Sequence, residues 1–363
     1  MLTVVAAAGI AYCVVALAAI VRFSLRRQNA EPRSDAAVTI FKPIYGVETE
    51  LFENLCSFCE QDYPRFQVLF GVKRGDDPAI GIIDRVIARY PTLDLSLVVD
   101  ERPVGGNPKV ANLCAMFEHA KHDLLVIADA DMRVDRRYLR SVCAEFTEEG
   151  VGAATCLYRG VARGGIASQL GVLQLNDQFA PSVLVATLAG DPAFCLGSTM
   201  AVRRGALADI GGFAALAPYL ADDYMLGALL SKRGHRVVLS RYVVTNVVEE
   251  PQIRALLLHE LRWSRTIRTV QTAGYALSFV TFPLPFALAA VAIDIRSGIA
   301  WSALAAAMAL RLAMHEAARR AFAIDRSPPV WLIPLRDCLG LAVWAAGLFG
   351  QNVRWKNQTM RAR

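Results

Sequence analysis

The stretch Asp123–Val134, DLLVIADADMRV, constrains this chain more than any other. Leu124–Ile127 is a short apolar run, with β-branched Val126 and Ile127, that stops abruptly in carboxylates. Its length and composition predict a buried strand. Residues i and i+2 of an extended segment project to the same side, so Asp129 and Asp131 converge at the strand's end. Two converging carboxylates repel unless a proton or a cation sits between them. A hard divalent ion with oxygen ligands, Mg²⁺ or Mn²⁺, meets that need and keeps coordination positions free for phosphates. An isolated D-x-D reads better as two solvated loop aspartates; the rest of the chain reverses those odds.

Upstream, strands are expected at Val38–Phe41, Phe66–Val72 and Leu93–Val99, alternating with helices at Glu48–Glu60, Ile80–Tyr90 and Val110–His119. That alternation predicts an α/β fold with a parallel, doubly wound sheet. Such sheets bind ligands beyond the carboxyl ends of their strands, where Lys42, Asp77 and the D-x-D all fall. After Asp131 the pattern changes. Strands are expected at Val151–Leu157, Thr199–Val202 and His235–Leu239, and a helix at Met225–Arg233. Asp222 and Asp223 precede that helix and suit an N-cap as well as a chemical role.

The chain is 55% hydrophobic, and the excess is concentrated at its two ends. Met1–Val21 carries no charged side chain and is long enough to span a bilayer; Arg22, Arg26 and Arg27 follow. Charge after the apolar core indicates a retained transmembrane anchor over residues 1–22, with residue 22 onward in the cytoplasm. A cytosolic domain is expected over 36–250. Residues 251–270 form a basic amphipathic helix for the membrane interface, with Arg254, Arg262, Arg265 and Arg268 among apolar Ile253, Leu256, Leu257, Leu261 and Ile267. Membrane helices are expected over 275–350, and 351–363 is a basic tail. Segments 275–293 and 299–322 are read as an out-and-back pair. Segment 330–349 is read as not crossing, because Arg336 and Asp337 near its start are costly in lipid. The tail, with Arg354-Trp355-Lys356, is then cytoplasmic. His315 and Glu316 are expected to pair with Arg311 or Arg319. The net charge of +6 without a long basic run speaks against nucleic acid as a partner. The lone Cys56-Ser57-Phe58-Cys59 lacks the four ligands of a structural zinc site and reads as reduced thiols.

In this order, Lys42-Pro43…Gly46-Val47, Asp62-Tyr63-Pro64, Asp76-Asp77-Pro78-Ala79, Gly106-Asn107-Pro108-Lys109, Asp129-Ala130-Asp131, Asp222-Asp223-Tyr224 and Arg262-Trp263 make the chain resemble the ceramide glucosyltransferase family. The resemblance covers about residues 38 to 270. Within the family it is most similar to the bacterial hopanoid-biosynthesis branch, through Asn176-Asp177-Gln178-Phe179-Ala180-Pro181, Leu220–Gly227 and His259-Glu260-Leu261-Arg262-Trp263. It implies a GT-A fold, inverting sugar transfer from a UDP-sugar to a membrane lipid hydroxyl, and a multi-pass protein of the bacterial inner membrane. The acceptor implied is a hopanoid such as bacteriohopanetetrol. Ceramide is the alternative, and a polysaccharide synthase a second, against which the apolar segments are too few to enclose a long channel. Asp77, with Asp76 beside it, matches the family aspartate that helps hold the nucleotide. Asp129 matches the second family aspartate, Asp131 completes a D-x-D that some eukaryotic relatives lack, and Asp223 matches the third, the expected general base. Arg262 and Trp263 end the family's Q/R-x-x-R-W signature, whose first position here is His259.

Inversion at an anomeric carbon requires a stabilised diphosphate leaving group, a base for the acceptor hydroxyl and an oriented acceptor. On this reading Lys42, Asp76, Asp77 and Lys109 hold the UDP-sugar, Asp129 and Asp131 the metal, and Asp223 takes the proton. Arg262 assists the leaving group. Trp263 stacks on a sugar or walls the acceptor entrance, and equally suits an interface anchor.

Overall fold

The computed structural model describes residues 1–27, 34–350, 352–355 and 358–361. In chain order the helices and strands are α1 (Leu2–Arg27), β1 (Val38–Pro43), α2 (Leu51–Cys59), β2 (Phe66–Val72), α3 (Ile80–Arg89), β3 (Asp94–Val99), α4 (Pro108–Phe117), β4 (Leu124–Ile127), β5 (Met132–Arg133), α5 (Tyr138–Ala144), β6 (Val151–Arg163), α6 (Ile166–Gln174), α7 (Ala180–Ala186), β7 (Met200–Arg203), α8 (Arg204–Asp209), α9 (Asp222–Lys232), β8 (Arg236–Glu249), α10 (Ile253–Val270), α11 (Thr272–Leu277), α12 (Pro283–Ile293), α13 (Gly298–Ala321), α14 (Leu332–Gly347), β9 (Asn352–Trp355) and β10 (Gln358–Arg361). A π-helical turn, Leu175–Phe179, joins α6 to α7. The chain divides into two compact units, one of Asn29–Tyr158 and Ala189–Val247, the other of Met1–Gln28, Arg159–Leu188 and Val248–Arg363.

The first unit is built on a sheet of strand order β3-β2-β1-β4-β7-β6-β8-β5. Strands β1 to β4 are mutually parallel where they pair, with Ile40 opposite Val68 on one side and Val126 on the other. Alternate side chains feed two apolar layers. Val38, Ile40, Val68, Phe70 and Val126 pack with Phe58 on one face, and Phe41, Leu69, Leu125 and Ile127 with Leu113 on the other. Because β1 has β2 on one side and β4 on the other, the winding direction reverses between β1 and β4. That reversal opens a crevice at the carboxyl ends of these two strands, where open α/β sheets bind ligands.

The sheet changes character in its second half, after Asp131, where the sequence pattern also changes. Strand β7 runs antiparallel to both β4 and β6, and β5 antiparallel to β8. Both β6 and β8 outrun the apolar runs at Val151–Leu157 and His235–Leu239. Ser240-Arg241 reads as a polar stop, yet the strand carries on with Tyr242, Val243, Val244 and Val247 buried. Helix α9 begins at Asp222, so both aspartates lie in its first turn, where their charge is favoured by the positive end of the helix dipole.

In the second unit, α1 and α13 are long and apolar enough to cross a membrane. The expected span 275–293 is broken. Thr272–Thr281 and Pro283–Ile293 meet at 54°, since Pro283 and Pro285 cannot continue a preceding helix. Helix α14 has 16 residues, about 24 Å at 1.5 Å per residue, short of the ~30 Å hydrocarbon core. The lipid cost assigned to Arg336 and Asp337 does not arise as supposed, because both are buried and paired. Asp337 accepts two bonds from Arg311 (3.0 and 2.7 Å), and Arg336 donates two to Glu260 (2.8 and 2.9 Å). Glu316 pairs with Arg319 and Arg320, whereas His315 contacts Asp177. Strands β9 and β10 form an antiparallel hairpin; Lys356 lies outside the described residues.

Glycine at 71 lets α4 press onto β2. A Cβ there would overlap Met116 and the Asn112 amide, which itself donates to the Gly71 carbonyl at 2.7 Å. Gly71→Ala is expected to cost about 1–3 kcal/mol by overpacking and to lower the thermal midpoint of the purified protein. An unchanged midpoint would mean that α4 backs away freely.

Candidate active site

Lys109 lies at the centre of the crevice. It enters in the first turn of α4, which Asn107 caps by accepting from the Lys109 and Val110 amides, with Pro108 supplying a preset φ. The same Asn107 donates to the Tyr219 carbonyl at 2.9 Å, tying the start of α4 to the loop before α9. The Lys109 ammonium lies 2.7 Å from Asp129 Oδ1 and 3.3 Å from Asp222 Oδ2. Burial opposes its charge, but Asp129, Asp222 and Asp223 outweigh burial and hold its pKa above the usual lysine range. Asp222 is buried, and among the described residues its Oδ2 has this ion pair and no hydrogen bond.

Asp223 follows at the rim, half-buried, with one carboxylate oxygen accepting from the Tyr224 amide at 2.8 Å. Burial and then Asp222 push its carboxyl up to about 6, against the pull of Lys109. Gly197 separates it from the D-x-D. A Cβ there would lie 2.6 Å from Asp129 Oδ2 and 3.4 Å from Asp223 Oδ2. Only a bare backbone leaves both carboxylates facing one space. Gly227 likewise lets α9 close on the Phe194–Cys195 backbone.

Asp131 is held from the far strand: Asn246 of β8 donates to its Oδ2 at 2.7 Å. Burial, then Glu48 and Asp129, push its carboxyl up to about 7. Lys42 lies beneath, fully buried, donating to the Asp129 carbonyl at 2.5 Å and resting 3.7 Å from the Phe58 ring centre. Burial pushes its ammonium down to about 7, while Asp129 and Asp131 pull it back up. Among the described residues no three His, Cys, Asp or Glu side chains form a ligand cluster. Asp129 and Asp131 nevertheless fit a hard divalent ion, since both offer carboxylate oxygens and half-buried Asp131 is crowded by the negative charges of Glu48 and Asp129. Two protein carboxylates suit an ion whose remaining ligands are phosphate oxygens and water.

The other expected residues fall as follows. Asp77 accepts from the Gly46 amide (3.1 and 3.0 Å) and the Ala79 amide (2.9 Å), lacing together the loops after β1 and β2. Asp76 is exposed and paired with Arg74 at 2.6 Å. Arg262 and Trp263 are carried by α10 in the other unit, where the His259 and Trp263 rings lie 4.4 Å apart and His259 Nδ1 is 2.8 Å from Glu250. Asn246 and Glu48 were not singled out from the sequence. No motif marks Asn246; only the pairing of Met132 with it across β5 and β8 brings it to Asp131.

The sheet, with its reversal between β1 and β4, has a GT-A fold. The chain belongs to glycosyl transferase family 21, whose model matches residues 1–363. It is similar to ceramide glucosyltransferase 3 of Caenorhabditis elegans, with 25% identity over 244 residues, 67% of this chain and 53% of that protein. It is also similar to the ceramide glucosyltransferase of Candida albicans, with 39% identity over 129 residues, 31% of this chain and 24% of that protein. The chain thus spans about half the length, or less, of these curated relatives. A mannosyltransferase from Pyrobaculum calidifontis, solved with GDP-Man and Mn²⁺, shares the fold at TM-score 0.58 and 20% identity over 95% of this chain and 97% of that one.

The elevated Asp131 carboxyl has a thermodynamic consequence. Its folded pKa of about 7 lies above the ordinary 3.8, so the native state binds the proton more tightly. The ionised form costs native stability increasingly from pH 3.8 to 7 and in full above that; below 3.8 the cost is absent. In EDTA, Asp131→Asn is therefore expected to raise the melting temperature at pH 8 and to leave it nearly unchanged at pH 4. A lowered midpoint at pH 8 would show that the wild-type carboxylate is already compensated.

Proposed function

We propose that this protein is a membrane-bound inverting glycosyltransferase that moves a hexose or N-acetylhexosamine from a UDP-sugar to a lipid hydroxyl. The observation that carries the reading is the facing of Asp129 and Asp223 across Gly197 at the switch point of a GT-A sheet. Family 21 membership and the ceramide glucosyltransferase relatives support a lipid acceptor. The sequence motifs shared with the hopanoid branch favour a hopanoid head group such as bacteriohopanetetrol. The names of the curated relatives favour ceramide as the second reading.

Asp129 and Asp131 would hold Mg²⁺ or Mn²⁺, which when bound supplies electrostatic neutralisation of the diphosphate. Lys109 places a permanent positive charge next to Asp129, where the charge of a departing UDP would develop. Asp77 shapes the Gly46 turn for the nucleotide, exposed Asp76 next to it would join in holding the UDP-sugar, and Lys42 braces the Asp129 backbone from below. Asp223 accepts the acceptor's hydroxyl proton. A carboxyl at about 6 is largely ionised at neutral pH yet more basic than an ordinary aspartate, which suits a general base. Arg262 supplies a guanidinium for the leaving group, and Trp263 an aromatic wall for the acceptor.

The membrane arrangement consistent with this chemistry places the sheet unit in the cytoplasm of a bacterial inner membrane. Helix α1 and α13 cross, the bent α11–α12 segment goes out, and the C-terminus is cytoplasmic. A cysteine added after Arg363, in a background without other accessible cysteines, should resist impermeant thiol reagents on intact cells. Labelling from outside would reverse the assignment.

The activity itself is tested with purified protein, a panel of UDP-sugars, and hopanoid and ceramide acceptors read by lipid mass. Asp223→Asn should slow transfer by about 100-fold or more while UDP-sugar affinity stays near wild type. The wild-type rate should fall as pH drops through about 6, where Asp223 gains its proton. Lost donor affinity in Asp223→Asn would move this residue to the donor site, and no lipid product from any pair would sink the reading.

A further inference from the structure

Helix α10 is buried along one stripe. Its buried residues are Leu256, Glu260 and Ser264, spaced i, i+4, i+8 on one face. Two of the three are polar. Glu260 receives both terminal guanidinium nitrogens of Arg336 on α14. Ser264 Oγ hydrogen-bonds Tyr275 Oη, which donates to the Trp344 carbonyl of α14 at 2.7 Å. Gly347 closes this contact, as a Cβ there would overlap the Ser264 and Tyr275 oxygens. Further along, Arg265 and Arg268 donate to the Phe349, Leu348 and Gly350 carbonyls beyond the end of α14. Arg336 is fixed in turn by its neighbours. Asp337, next to it, is clamped by Arg311 of α13, and Arg311 also donates to the Asp177 carbonyl of the π-helical turn at 2.9 Å.

Stability alone does not account for these pairs. Apolar residues of similar volume usually serve a buried position as well as an ion pair does, and the best-attested use of such pairs is to fix registry. A two-pronged guanidinium–carboxylate contact is directional, so Glu260–Arg336 fixes the rotation of α10 about its own axis. At about 100° per residue, Arg262 projects nearly opposite the Glu260–Ser264 stripe, and Trp263 leaves on one flank beside His259. A slip in rotation would redirect all three side chains together.

We infer that Arg336 and Glu260 are positioning residues for sugar transfer, setting the direction in which α10 presents Arg262 and Trp263. This rests on the reading above that Arg262 and Trp263 act in the reaction. The test is the double variant Glu260→Met/Arg336→Met in the full-length protein, which removes the direction of the contact and leaves no unpaired buried charge. Expected are wild-type melting and UDP-sugar affinity, a donor KM within about threefold of wild type, and a kcat lowered by about 10- to 100-fold, the scale of a small misplacement. The reversed pair Glu260→Arg/Arg336→Glu should regain part of that loss. A wild-type kcat in the double variant overturns the inference. If the double variant does not fold, Glu260→Gln, which keeps the shape, takes its place. It should lower kcat with donor affinity kept, and a wild-type kcat again overturns the inference. Arg262→Ala and Trp263→Ala, measured alongside, separate the two claims. Full activity in both removes the parent reading and the positioning role with it. Inactivity there, with full activity in the double variant, removes the positioning role alone.

Discussion

The Lys109 ammonium, set between Asp129 and Asp222, is the contact on which the crevice depends. These two carboxylates come from segments far apart in sequence, and without a cation between them the ends of β4 and α9 would repel. The lysine can stay charged in a buried position because it has several negative neighbours at once; a single partner would compensate less of its desolvation. Its backbone is fixed before its charge matters. Asn107 caps α4 and reaches Tyr219 with the same side chain, so the start of α4 and the approach to α9 are joined by hydrogen bonds as well as by charge.

The mixed sheet places the remaining parts. The reversal between β1 and β4 puts Lys42 under the D-x-D turn, and antiparallel β7 brings the Gly197 loop beside Asp129. The Asp129 amide donates to the Gly197 carbonyl at 3.3 Å. Antiparallel β5 and β8 carry Asn246 to Asp131. These antiparallel pairings join strands far apart in the chain, so the second half of the sheet contributes much of the site.

Strands whose apolar runs end in turn-forming or acidic residues were legible in the sequence almost to the residue, as Phe66–Val72 shows. Leu124–Ile127 was legible for the same reason. The long strands β6 and β8 were not, because polar residues such as Ser240 and Arg241 interrupt the hydrophobic alternation without ending the backbone pairing. Asp129, Asp131, Asp222 and Asp223 announced themselves as paired acids on either side of hydrophobic segments. Asn246 had no such signal, since its importance comes from pairing across the sheet rather than from its neighbours in sequence. Lys42 and Asp77 were legible as polar strand ends, but their use was not. One supports the D-x-D backbone, and the other accepts amides from two loops.

The charges of the other unit were misread for a related reason. Hydropathy prices each ionisable residue alone, and Arg336 and Asp337 alone are expensive in an apolar helix. Their partners, Glu260 and Arg311, sit on other helices and cannot be identified from local pattern. With partners in place, the two units handle charge in opposite ways. In the helical unit the Arg336–Glu260 and Arg311–Asp337 contacts are each two-pronged and deeply buried, so each charge is met within the protein and the contact fixes direction. At the sheet crevice Asp131 has a neutral amide from Asn246 as its hydrogen-bond partner and negative neighbours in Asp129 and Glu48, with Lys42 opposing them. Closed pairs hold the helices together, whereas the Asp131 carboxyl has a neutral partner and negative neighbours, which favours the cation proposed for that site.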